Sequence, residues 1–238
     1  MRSVLDELAL VTATRSQRLL LPPYPAPPQA PAFYGLAGEV VRAIAPESEA
    51  DPMALLVQFL LAFGNVIGRS AHFLVEADRH YANEMASLVG ETAKGRKGSS
   101  WGHVRAIFEA VDPAWATERI KQGLESGQGL VWLVRDHTDQ DSGVADKRLL
   151  VVESELASVL RVMGREHNTL SAAVRQAWDS GRLQSLGKTA PAEATQAHIA
   201  MIGHITREEL RRYLDRTELA NGLANRFLWI AVRRARAS

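Results

Sequence analysis

Cysteine is absent from the sequence. That excludes disulfides and thiolate-bound metals, and it fits a reducing compartment. Aromatic residues make up only 6%, and Trp101, Trp115, Trp132, Trp178 and Trp229 are too scattered for a base-stacking platform, so they read as core or interface. Charge of one sign is also lacking: the formal net charge is +1, which advertises neither nucleic acid, membrane nor an acidic substrate. The longest apolar run, Met53 to Phe63, is interrupted by Gln58 and falls well short of the roughly 20 residues that span a bilayer. No signal-peptide layout opens the chain. The histidines form no i,i+4 pair and no H-E-x-x-H, and Asp139 to Gly143 lacks the glutamate of a calcium loop, so no metal site is expected beyond nucleotide-bound magnesium. A soluble, cytoplasmic protein with no membrane contact is the expectation.

What is present describes an α/β chain of 238 residues with 46% hydrophobic content, enough for a sizeable core. Three segments are expected. Residues 1–32 are expected to hold a short amphipathic helix and a proline-rich strap, LPPYPAPPQAP, that favours an extended conformation. Residues 33–70 form a helical preface, FYGLAGEVVRAI followed by a buried helix that Asp51 caps and Pro52 opens. Residues 71–238 form the core. There the sequence predicts two strands joined at Arg79-His80, the second running to Val89, and a helix from Trp101. A further helix capped at Asp112-Pro113 is expected through Leu124, and the Ser126 segment leans to helix. Buried strands are predicted at Arg148–Glu155, His198–Thr206 and Phe227–Val232, with Thr206 capping REELRRYL.

Between the strand ending at Val89 and the following helix lies GETAKGRKGSSWG. A strand, a turn of Gly, Lys and Ser, and a helix opening near Ser99 are what a phosphate-binding loop needs. Glycines let successive N–H groups point inward, the helix presents its positive end, and a lysine reaches the outer phosphates. The candidate nucleotide-binding residues are Gly90, Gly95, Lys97, Gly98, Ser99 and Ser100. The match to G-x-x-x-x-G-K-[ST] is offset: Arg96 stands as an extra residue before Lys97, and Gly98 separates the lysine from the hydroxyls.

Ligands of open α/β sheets sit at the carboxyl ends of the strands. Three predicted strands end there in useful groups: the Gly90–Ser100 loop, Glu153 and Glu155, and His204 with Thr206. Lys97 would neutralise the β- and γ-phosphates of ATP, Ser99 would give its hydroxyl to Mg²⁺, and Glu153 would hold the metal through a water. Glu155 would orient the attacking water, His204 or Thr206 would sense the γ-phosphate, and Arg226 would serve as an arginine finger in cis or across a subunit boundary. One of Glu153 and Glu155 doubles as a helix-initiating acid.

On these residues the chain resembles a family of P-loop ATPases of bacterial mobile elements and phages, associated with primase–polymerase modules and related to RecA-like replicative helicases. FYGLAGEVVRAI, ADPMALLVQFLLAFGN, GETAKGRKGSSWG, KRLLVVESELASVL, TLSAAVRQAWD, HIAMIGHIT and NGLANRFLW carry the resemblance from about Phe33 to Val232. It implies a RecA-like P-loop NTPase sheet flanked by helices, ATP and Mg²⁺ as cofactors, and single-stranded DNA as partner. It also implies a ring or filament of copies and ATP hydrolysis coupled to replication, helicase-like, beside a primase–polymerase. Glu153 stands where an aspartate is usual, and relatives tend to continue further past the finger. A non-hydrolysing nucleotide-binding or interaction module is the alternative.

Gly98-Ser99-Ser100-Trp101-Gly102 also satisfies G-x-S-x-G, with Ser100, Asp136 or Asp179, and His198 or His204 in the order of an α/β-hydrolase triad. The polar cationic stretch before it lacks the strand that such an elbow requires. That serine hydrolase is the weaker rival.

Overall fold

The computed structural model describes residues 25–91, 97–186, 191–214 and 221–235. The short helix expected within residues 1–20 lies outside them. Five strands form one parallel sheet: β3 (Met85–Gly90), β4 (Ile120–Lys121), β5 (Arg148–Glu153), β8 (His198–Thr206) and β9 (Phe227–Ala231), in the order β4-β5-β8-β3-β9. β5 and β8 are nearly continuous aliphatic runs because helices cover both of their faces.

Side-chain alternation divides the core into two layers. Ala86, Leu150, Val152, Ala200 and Ile202 pack against α1 (Gly35–Ile44), α2 (Pro52–Ile67), α3 (Lys97–Val111) and α4 (Pro113–Glu118). Met85, Leu149, Val151, Ile199 and Met201 face α5 (Gly127–Trp132), α6 (Leu156–Met163) and α7 (Leu170–Asp179), with α8 (Arg207–Tyr213) on the same side. The chain thus leaves β3 over the first face and leaves β8 over the second. These strands are neighbours, so their carboxyl ends define the switch point where open α/β sheets leave a crevice.

Local chemistry explains most helix starts. Asp51, Asp112 and Ser126 each accept a backbone N–H of the first turn, and Pro52 and Pro113 sit where a missing donor costs nothing. Thr206 and Glu209 form a reciprocal capping box at α8. Two expectations are corrected. The helix from Pro113 ends at Glu118, and Ile120–Lys121 becomes the edge strand β4 beside Leu150 and Val151. Before β3, a separate antiparallel hairpin, β1 (His72–Val75) with β2 (Asp78–Tyr81), turns at Glu76-Ala77 rather than at Arg79-His80. A second hairpin, β6 (Leu183–Ser185) with β7 (Ala192–Ala194), follows α7.

α2 runs antiparallel to the strands and is tied to them by buried polar groups. Near its end, Asn65 Nδ2 donates to the carbonyls of Leu149 (3.0 Å) and His198 (2.9 Å), while its Oδ1 accepts the indole N–H of Trp115 at 2.9 Å. The ring of His198 donates from Nε2 to the Gly64 carbonyl at 2.9 Å. Its Nδ1 meets no hydrogen-bond partner among the described residues.

Burial therefore holds this imidazole below its ordinary value of 6.5; the Gly64 carbonyl opposes the shift, and Arg69 and Arg148 reinforce it. Between the depressed value and 6.5 the unfolded chain binds more protons than the folded one. This contribution to stability is fully present above pH 6.5 and is lost as pH falls below it. Urea unfolding is expected to show a lower midpoint at pH 5 than at pH 7. His198→Gln, which cannot titrate, should narrow that difference.

The candidate site at the carboxyl edge of the sheet

β3 ends at Gly90, and α3 begins at Lys97. Gly95 and Arg96 lie outside the described residues, as do the other residues of 92–96. Val104 and Phe108 bury one side of α3 against α2 and Trp115, which aims the start of this helix at the end of β3. Ser99, in its first turn, is exposed, whereas Ser100 is fully buried.

The burial of Ser100 counts against the hydrolase alternative. A nucleophile elbow needs its serine exposed at the strand–helix turn, and this one is inside a helical turn. Three of its four candidate partners are distant or already paired. His198 opens β8 at the opposite end of the sheet, Asp136 is bound to Lys147 and to the Thr195 amide, and Asp179 is paired with Arg226.

Glu153 ends β5 on the second face and is only 6% exposed. Its Oε1 accepts the backbone N–H groups of Gly123 (2.7 Å) and Leu124 (2.9 Å), fastening β5 to the turn after β4. Beside it in register is Gly203, where a Cβ would come within 2.6 Å of Leu156 Cδ2. Glycine there lets α6 start directly after the strand. The strand stops at Glu153, so Glu155 is not a strand residue; it is the exposed residue preceding α6 and makes no side-chain cap.

His204 lies on the first face, buried, with Nε2 2.9 Å from Gln58 Nε2 on α2. Thr206 at the strand end is engaged by Glu209 through both its hydroxyl and its amide. Sequence reasoning missed Gln58 as the partner of His204, although a glutamine within an otherwise aliphatic helix was the available signal.

Arg226 stands before β9, not after it, and β9 is parallel to β3 with Phe227 opposite Met85. It is therefore at the amino edge, roughly 20 Å from Gly90 at about 3.3 Å per residue. There it holds Asp179 through two bonds of 2.9 and 2.7 Å and the Gly222 carbonyl at 2.7 Å. The in-cis finger is corrected by this position.

The structure brings together at one edge Gly90, the start of α3 with Ser99, Glu153, Glu155 and Thr206; it leaves Arg226 outside. Together they define an α/β protein with a five-stranded parallel sheet flanked by helices, compatible with a RecA-like fold. No family model and no curated protein matches the chain. Among the described residues no helix is long and apolar enough to cross a membrane, and no group of three or more His, Asp or Glu side chains is gathered to hold a metal ion.

Proposed function

We propose that this chain is a P-loop NTPase that binds ATP with Mg²⁺ at the carboxyl edge of the sheet and hydrolyses it. The observation that carries the reading is that interior strand β3 ends at Gly90 and α3 begins at Lys97 beside the switch point between β3 and β8. Lys97 opens the helix and would meet the β- and γ-phosphates together with the helix dipole. A hydroxyl and a carboxylate, Ser99 and Glu153, suit a hard cation such as magnesium; with Oε1 committed to two amides, Glu153 has its second oxygen for this task. The bound metal would neutralise charge developing on the transferred phosphoryl group. Glu155, exposed at the same edge, would accept a hydrogen bond from the attacking water and take its proton. Coupling to single-stranded DNA, assembly into rings or filaments and a primase–polymerase partner rest on the family resemblance alone.

Two observations favour the non-hydrolysing alternative: Glu153 is partly spent on Gly123 and Leu124, and Arg226 is remote. The test is ATP binding and turnover with and without Mg²⁺ and single-stranded DNA, comparing the wild type with Glu155→Gln. Hydrolysis is expected to need magnesium and to fall about 100-fold in the variant, at the low end for loss of a general base, with ATP affinity unchanged. Binding without turnover in the wild type would establish the alternative. No binding would overturn both.

A further inference from the structure

A cavity of about 530 Å³ opens beside this edge, walled by Pro25, Pro27, Phe33, Met53, Ile230 and Ala231. We propose that it seats the adenine base of the bound nucleotide, an inference that rests on the nucleotide reading above. Its position is the first support. Ala231 lies opposite Val89, and the Val232 N–H donates to the Val89 carbonyl at 2.9 Å. The wall thus stands one residue before Gly90 on the neighbouring strand, about 5 Å away. A base in the cavity and phosphates at the Gly90 turn would belong to one molecule.

The lining has the right chemistry. Proline rings, a phenyl ring and a thioether offer flat apolar surface to a π-face, and the volume falls within the ordinary range for ligand pockets. Polar recognition comes from the sheet itself. β9 is the last strand of the order, and Val232 directs its N–H toward β3. Alternation then turns the N–H and C=O groups of Trp229 and Ala231 to the open edge, where they border the cavity. One donor and one acceptor side by side match adenine, which accepts at N1 and donates from its amino group.

Guanine presents two neighbouring donors that call for a carboxylate. The carboxylate of the lining, Asp51, already accepts the amide of Met53 at Oδ1 and that of Arg233 at Oδ2, both at 2.9 Å. A pyrimidine would leave much of the apolar wall uncovered. The strap that reads in the sequence as a connector thus becomes one wall of the base slot.

The test is calorimetric titration of the full chain, in Mg²⁺, with ATP, GTP, CTP, inorganic tripolyphosphate and adenosine. Wild-type protein should bind ATP at least about 10-fold more tightly than GTP, CTP or tripolyphosphate, one tenfold step being a modest contribution for a buried base. Met53→Trp, which fills the slot without changing charge, should bring ATP down to the tripolyphosphate level and leave tripolyphosphate unaffected. Ala231→Pro removes one outward N–H at an edge position where proline is tolerated, and it should narrow the same gap.

Equal affinity for ATP and tripolyphosphate in the wild type would overturn the base slot while leaving the phosphate loop standing. So would a ratio unchanged in variants that keep the wild-type circular dichroism. If Met53→Trp fails to fold, Ala231→Pro and the wild-type comparison decide. If neither ATP nor tripolyphosphate binds, the nucleotide reading falls. Adenosine then tests the slot alone: binding that Met53→Trp removes would keep it, and no binding would end it.

Discussion

Lys97→Ala is expected to lower ATP turnover by about 1,000-fold and to weaken magnesium-dependent ATP binding. Lys97 is the first residue of α3, which follows β3, an interior strand at the switch point of the sheet. A cation positioned on a transferring phosphoryl group acts where water is largely excluded, and removing one such contact typically costs about 100- to 1,000-fold in rate. The upper figure applies because the helix N-terminus remains but cannot follow the charge that builds on the γ-phosphate. Stability should hardly change, since alanine is the best helix former and the position is at a helix end. The extra residue before the lysine makes register the main rival explanation. Lys94→Ala and Arg96→Ala should therefore each change turnover by no more than a few fold. A large loss in one of these with Lys97→Ala near wild type would move the phosphate-contacting role along the loop. Full activity in all three would sink the phosphate-loop reading.

The parts of the fold that were legible in the sequence are those with local causes. Arg148 to Glu155, of which Arg148 to Glu153 is strand, and His198 to Thr206 read as buried strands because four or more aliphatics follow one another between polar ends. Asp51-Pro52, Asp112-Pro113, Ser126 and Thr206 read as helix starts because each carries its own acceptor for the first turn. Features set by distant parts of the chain were not legible. Ile120 and Lys121 become a strand only because Leu150 and Val151 lie alongside. The β1–β2 turn has Glu76 at φ 53, with no glycine or asparagine to announce it.

The site divides in the same way. Gly90, Glu153 and Thr206 share the carboxyl edge because each ends a buried parallel strand. The end of the sheet at which a residue sits depends on strand direction. Arg226 precedes β9, so parallel pairing sends it to the amino edge, away from Gly90. Alternation likewise puts Glu153 and His204 on opposite faces, and only the packing of α2 reveals that Gln58 meets the histidine. The cavity beside β9 draws on residues 25–33, 51–53 and 229–235 together, and no local pattern joins them.

Asn65→Leu is expected to destabilise the fold by about 4 kcal/mol, read from urea or guanidinium unfolding. Leucine has a similar volume, so little of the loss comes from a cavity. What is lost is a set of three hydrogen bonds around a side chain with 0% exposure, two to the Leu149 and His198 carbonyls and one from Trp115 Nε1. The indole N–H is left buried without its acceptor, and two carbonyls lose a donor. Each such loss costs about 1–3 kcal/mol, partly offset by the added apolar burial. Trp115→Phe removes the donor from the other side. The double variant should therefore be less destabilised than the sum of the two singles, by about 1 kcal/mol or more. Strict additivity, or a loss below about 1 kcal/mol for Asn65→Leu, would overturn the assignment of stability to this network. The consequence extends beyond stability because α2 is one rod. Asn65 fixes it to the amino ends of β5 and β8, Gln58 reaches His204 further along, and Asp51 holds the chain after β9 through the Arg233 amide. Loosening Asn65 should release the rod at one end and let Met53 shift at the other. Asn65→Leu is therefore expected to weaken ATP more than tripolyphosphate even at temperatures where the variant remains folded.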